Sequence, residues 1–139
     1  MIELNDKALR RRAHELHGAA TSLADPSSRA LLLFYAAECG LKAIYMRKFK
    51  LKNTASSNGS AKPTSSFKHN IDAIIKALKI PPIALAHSPG GLSLKAPAAG
   101  EVYVGDLNQV WRYGATLATP NNAVPWLEAV VAYALKELK

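Results

Sequence analysis

The chain has a single cysteine, Cys39, among its 139 residues. One thiol excludes an internal disulfide and a zinc site built from cysteines. No apolar run reaches the roughly 18 to 20 residues that cross a bilayer. The first residues mix acids and bases and lack the apolar stretch of a secretory signal. We therefore expect a protein of the reducing cytoplasm that does not enter a membrane.

Acidic residues are scarce in the part of the chain where basic residues are most frequent. The net charge is +8, from 18 Lys and Arg and 10 Asp and Glu. Residues 26–80 contain ten basic residues against two acidic ones, whereas residues 1–25 and 81–139 each contain four of both signs. Such a segment attracts phosphate backbones or an acidic protein partner. The alternative interpretation is that the segment is a solvated loop whose charge only aids solubility. The candidate binding residues are Arg47, Lys48, Lys50, Lys52, Lys62 and Lys68.

The spacing of apolar residues predicts an all-α fold, an up-and-down bundle of four to five helices. The length suits one domain that covers residues 1–139. Asp25 and Pro26 mark the start of the longest helix, because Asp caps free amides and Pro suits the first turn. Two segments rich in Ser, Asn, Gly and Pro, at about 53–66 and 87–105, are predicted to be mobile loops. The predicted helices cover about 6–23, 26–49, 70–78, 107–117 and 122–139.

The chain contains three short motifs, AAECGLKA at 36–43, FKHNI at 67–71 and WRY at 111–113. Together they resemble the HEPN family of small helical bundles, which are common in prokaryotic toxin–antitoxin and anti-phage systems. The segment 36–43 reads AAECGLKA, close to the Ala-Ala-Glu, two residues, Leu-Lys-Ala pattern of the family's central helix. FKHNI at 67–71 and WRY at 111–113 follow in the family's order. The resemblance implies a HEPN-like bundle that forms a homodimer and binds RNA or a protein partner such as an antitoxin.

Many active HEPN proteins are metal-independent ribonucleases, with an Arg followed after four to six residues by a His on a later helix. An imidazole can move the proton of the 2′-hydroxyl while a guanidinium stabilises charge on the phosphorane. This chain lacks the motif in the later region. The same spacing occurs only in the first helix, between Arg12 and His17, where Arg10 and Arg11 also fall within the window. The candidates for an unconventional catalytic set are Arg12, His17, His69 and Arg112. No metal or cofactor is expected.

Glu38 and Lys42 are four residues apart on the predicted central helix, and they lie on one polar-aromatic strip with Tyr35 and Tyr45. A carboxylate and an ammonium near the interior of a bundle need polar partners. We therefore expect a polar network of Glu38 and Lys42 with His69, Arg112 and Tyr113. Such a network either organises a site or only fixes the packing of the helices, and the second interpretation is favoured.

These observations leave three hypotheses for the function. The first is a HEPN-like component of a toxin–antitoxin or defence module that binds RNA or an acidic protein. The second is a metal-independent ribonuclease toxin with an unconventional Arg/His site. The third is a structural subunit whose helices complete a dimer. Convergence of His69 and Arg112 with Glu38 and Lys42 in an open cleft would favour the enzyme.

Overall fold

A computed structural model of the protein describes residues 3–139. Helices make up 55% of the structure. The prediction of an all-α helical bundle is confirmed. The helices are α1 (Asp6–Ser22), α2 (Pro26–Lys48), α3 (Ile71–Leu78), α4 (Leu107–Arg112) and α5 (Ala123–Glu137). Two 3-10 turns, Thr64–Phe67 and Val104–Asp106, and two short strands, β1 (Leu92–Ser93) and β2 (Glu101–Val102), complete the described part of the chain.

Three helices begin at side-chain caps. Asn5, Asp25 and Asn70 each accept a hydrogen bond from the backbone amide three residues further on, at 2.8, 2.9 and 3.1 Å. These bonds satisfy first-turn amides that have no partner inside the helix. Pro26 occupies the first turn of α2, as predicted. The beginnings of α1, α2 and α3 therefore follow from local sequence.

Helix α2 is the centre of the bundle and contacts each of the other four helices. Phe34, Leu41 and Met46 on this helix are fully buried. Gly40 lies at the closest approach to α5, where a Cβ atom would be 2.7 Å from the Cβ of Ala134. A residue without a side chain is needed at this crossing because real Cβ atoms do not approach so closely.

The fourth helix is shorter than predicted. The periodicity favoured a helix over about 107–117, whereas α4 ends at Arg112. Gly114 follows with φ +76°, which is a left-handed conformation that ends the helix. Leu117 then pairs with Leu94 in an antiparallel bridge beside the strands. Pairing with a distant segment thus replaces the last predicted turn.

Both predicted loops contain some regular structure. In the segment 87–105, β1 and β2 form an antiparallel pair with Leu92 opposite Val102. In the segment 53–66, Asn58 and Ala61 form a bridge and Thr64 is fully buried. Short Ser, Thr and Asn side chains bond to nearby backbone, which orders a segment without apolar periodicity. The mobility of these segments stays a prediction.

Over residues 3–139, no helix is both long and apolar enough to span a bilayer.

Candidate functional site

A buried carboxylate on α2 connects the central helix to the start of α3. Glu38 is 9% exposed. Its Oε2 accepts a hydrogen bond from Lys42 Nζ at 2.9 Å, and its Oε1 lies 2.7 Å from His69 Nδ1. Lys42 Nζ also donates to the carbonyl of Lys68 at 2.7 Å. The predicted proximity of Glu38, Lys42 and His69 is therefore present, and the carboxylate is paired on both oxygens.

His69 precedes the cap of α3 and is held in one orientation by this cluster. Lys68 before it has φ +53° and ψ −118°, a conformation that residues with a Cβ rarely adopt. The Lys42 bond to the Lys68 carbonyl fixes this turn. The His69 side chain is 48% exposed. When Nδ1 carries the proton that Glu38 accepts, Nε2 is left with a lone pair that can take up a proton.

Arg112 joins the cluster through Tyr35, which lies three residues before Glu38 on α2. The guanidinium of Arg112 donates a hydrogen bond to the Tyr35 hydroxyl, and this bond raises the pKa of Arg112. The Tyr35 ring meets the His69 ring edge-on, with 6.1 Å between the ring centroids. The predicted approach of Arg112 and His69 to the strip of Tyr35, Glu38 and Lys42 is therefore present, and Tyr35 makes the contact with Arg112.

Tyr113 is 75% exposed and lies outside the buried part of the network. Its side chain interacts with the Arg112 guanidinium and adds to the raised pKa of Arg112, so Tyr113 joins the network at its exposed edge. On α1, Arg12 is exposed and lies 3.8 Å from Glu15 of the same helix, and His17 is partly exposed. Within residues 3–139, no hydrogen bond or ion pair joins Arg12 or His17 to the other two candidates. Of the four catalytic candidates, His69 and Arg112 are thus connected through Tyr35. Arg12 and His17 lie apart from them on α1.

A cleft of about 810 Å³ opens beside His69. It lies between the start of α3, the loop 88–91 and the segment 101–109. Basic and acidic side chains both line it, including Lys68, Lys76, Asp72 and Asp106. No group of three or more His, Cys, Asp or Glu residues in the described chain could hold a metal ion. The cleft is therefore a mixed polar surface with an oriented imidazole at its edge.

The six basic candidates divide into two sets. Three are engaged: Arg47 lies 3.6 Å from Asp6, Lys48 donates to the Leu78 carbonyl at 3.0 Å, and Lys62 lies 4.4 Å from the centre of the Phe67 ring. The other three are exposed, and their ammonium groups make no hydrogen bond or ion pair with residues 3–139. These are Lys50, Lys52 and Lys68.

Cys39 also lies on α2, next to Glu38. Burial, and to a lesser extent the Glu38 carboxylate, raise the pKa of the Cys39 thiol to about 11. A thiol with this pKa is almost entirely protonated at neutral pH and is a poor nucleophile. Cys39 is partly buried and packs against the core, so it acts as a small apolar side chain.

Comparison of the chain with protein-family models, curated proteins and solved structures finds no match.

Proposed function

We propose that the protein is a HEPN-like component of a prokaryotic toxin–antitoxin or anti-phage module that binds single-stranded RNA. The excess of positive charge in residues 26–80 carries the RNA part of this proposal. Among the six candidate binding residues, Lys50, Lys52 and Lys68 are best placed to contact phosphates, because their charges are exposed and unpaired within residues 3–139. The HEPN part is supported by the motifs at 36–43, 67–71 and 111–113.

The dependence of affinity on salt tests this proposal. Each phosphate neutralised by a lysine releases counterions, so three to five contacts give a slope of log affinity against log salt of about −2 to −4 for single strands. Replacing Lys50, Lys52 and Lys68 by glutamine should make the slope shallower by about 2. The measurement is a fluorescence titration of a labelled oligonucleotide at several salt concentrations.

The matched control replaces three exposed lysines outside the basic segment, at positions 95, 136 and 139. This triple variant removes the same charge and should bind almost as the parent does. If no oligonucleotide binds even at low salt, the RNA proposal is refuted. An acidic protein partner, such as an antitoxin, then becomes the explanation for the charge.

A second candidate function is cleavage of RNA without a metal ion. It is favoured by the 2.7 Å contact between Glu38 and His69, which orients an accessible imidazole at the cleft. In this reaction, His69 Nε2 would take the proton of a 2′-hydroxyl as its oxygen attacks the phosphorus. The bond from phosphorus to the 5′-oxygen then breaks, which leaves a 2′,3′-cyclic phosphate and a 5′-oxygen that takes a proton from water. Arg112, connected to the same histidine through Tyr35, would stabilise the charge on the phosphorane.

Incubation of purified protein with RNA, with and without a chelator, tests the second function. The expected result is cleavage that survives the chelator and is lost in His69→Ala and Arg112→Ala. His17→Ala is the control, because His17 has no contact with this cluster, and it should cleave normally. Cleavage that depends on His17 instead would refute the assignment to His69.

The family resemblance also implies a homodimer. Sedimentation at several protein concentrations measures the oligomeric state. A monomer at every concentration would refute this part of the proposal.

A further inference from the structure

The cleft beside His69 contains a buried side-chain amide without a partner. Asn108 of α4 lines the cleft and is 2% exposed. Its Oδ1 is buried without a hydrogen-bond partner among residues 3–139. Buried polar groups are nearly always paired, so an unpaired amide at a cleft indicates a place where a ligand supplies the partner. An amide carries both donors and an acceptor.

One carboxylate in the cleft is also free to accept hydrogen bonds. Asp72 already accepts from the Ser88 hydroxyl at 3.0 Å, and Glu101 lies 3.4 Å from the Tyr103 hydroxyl. Asp106 lines the same cleft, two residues before Asn108, and makes no side-chain hydrogen bond with residues 3–139. A ligand that presents two adjacent donors would satisfy both of its oxygens.

The walls of the cleft supply the other groups that bind a nucleotide. Tyr103 is 65% exposed and lines the cleft, so its ring is available for stacking on a base. Lys68, the last of the six candidate binding residues, and His69 line the cleft as well. A strand whose phosphates contact Lys68 can therefore direct one base into the cleft. The carboxylates inside repel a phosphate and favour the base.

We propose that this cleft is a guanine-binding subsite for the RNA strand that the basic segment holds; this inference rests on the proposed function. Guanine presents N1–H and the N2 amino group side by side, which is the pair of donors that one carboxylate accepts. Adenine, cytosine and uracil do not present two adjacent donors on that edge. Asp106 accepts from N1–H and one N2–H, Asn108 Oδ1 accepts from the other N2–H, and Tyr103 stacks on the ring. The volume of about 810 Å³ lies within the roughly 300 to 1,000 Å³ of ligand sites.

Oligonucleotides that differ in one base test this subsite. A labelled oligouridine with one central guanine is compared with the same strand carrying adenine or hypoxanthine at that position. Hypoxanthine keeps the N1–H of guanine but lacks its N2 amino group. Guanine should bind roughly 5- to 150-fold more tightly than adenine, the range for one bidentate base contact, and hypoxanthine should lie between them. In Asp106→Asn the preference should disappear, while the affinity for plain oligouridine is retained.

Glu128→Gln is the matched control. Glu128 is exposed on α5, outside the cleft, so this variant loses the same charge and should keep the full preference. Equal binding of the guanine and adenine strands to the parent, with normal salt dependence, overturns the subsite and leaves the RNA-binding proposal intact. A preference that survives in Asp106→Asn also overturns the assignment.

Guanosine and adenosine monophosphates separate the two proposals if no oligonucleotide binds. A titration followed by NMR monitors the side-chain amide of Asn108, which should shift with the guanosine nucleotide only. Such a shift supports the guanine site while the RNA proposal fails. Equal responses to both nucleotides, or no response to either, overturn the guanine site.

Discussion

Replacing Lys42 by methionine removes the ammonium that connects Glu38 to the turn before His69. Methionine keeps an unbranched apolar stem of similar length, so the packing around α2 is largely preserved. The charge of Glu38 then has only His69 as a partner, and the carbonyl of Lys68 loses its donor. The side chains of Lys42 and Glu38 are 12% and 11% exposed, so water can compensate only in part.

The expected loss of stability follows from that burial. Removing one partner of a buried ion pair costs about 3–5 kcal/mol. Because His69 stays bonded to Glu38, we expect roughly 2–4 kcal/mol for Lys42→Met. For a domain of this size the unfolding entropy converts this to a fall in Tm of roughly 7–14 °C. Glu38→Gln should act in the same direction, because it leaves the Lys42 ammonium without its counter-charge.

Calorimetry and urea unfolding measure the effect, and the exposed pair Arg12–Glu15 provides the control. These two side chains are 58% and 55% exposed and 3.8 Å apart, so Glu15→Gln should change stability by less than about 1 kcal/mol. Combining Lys42→Met with Glu38→Leu should recover part of the loss, since no buried charge remains unpaired.

The reasoning is refuted if Lys42→Met and Glu38→Gln both unfold like the parent. If these two variants are fully stable yet lose a measured RNA activity, the cluster is a catalytic site and does not serve mainly to hold α2 and α3 together. A loss of stability in both, with the control unchanged, supports the structural role.

Three further outcomes follow from single contacts. Gly40→Ala should lower the free energy of unfolding by about 1–2 kcal/mol despite the better helix propensity of alanine, because the new Cβ would be 2.7 Å from that of Ala134. Adding Ala134→Gly should recover much of this loss, and a Tm of Gly40→Ala at or above that of the parent would contradict the prediction. Because the pKa of Cys39 is raised to about 11, its protonated thiol contributes fully to stability below pH 9 and this contribution is lost between about pH 9 and 11. In urea unfolding, the free energy of unfolding of Cys39→Ala should therefore change less with pH over this range than that of the parent. Parallel pH profiles of the two proteins would contradict the prediction. In hydrogen exchange, amides of 53–66 should exchange faster than those of α2. Thr54 and Ser65 should be slowest in the segment, because they donate to carbonyls 50 and 11 positions away, whereas its other bonded amides donate within three positions. Protection equal to α2 across the segment would show that it is not mobile.

Local features of the sequence were sufficient for the helices and their beginnings. The caps at Asp25 and Asn70 act on amides three residues away, so their effect can be read without knowledge of the fold. The apolar spacing of α2 likewise indicated a central helix, and the structure surrounds it with the other four. Charge counting located the basic segment, because net charge depends on composition alone.

Tertiary structure decided which polar groups meet. Glu38 and His69 are 31 positions apart and Tyr35 and Arg112 are 77 positions apart, so these contacts depend on how α2, α3 and α4 pack. Arg47 pairs with Asp6 on α1 and Lys48 bonds to the last residue of α3, so tertiary packing also engages these two basic side chains. Lys62 contacts the nearby Phe67 ring, and Lys50, Lys52 and Lys68 are left available.

The early end of α4 and the cleft beside His69 have the same origin. Leu117 pairs with Leu94 across a long interval of chain, and the segments that enclose Asn108 come from three separate parts of the sequence. Periodicity and capping report interactions over a few residues. Backbone pairing and burial between distant segments depend on the whole fold, and these decided where the candidate site lies.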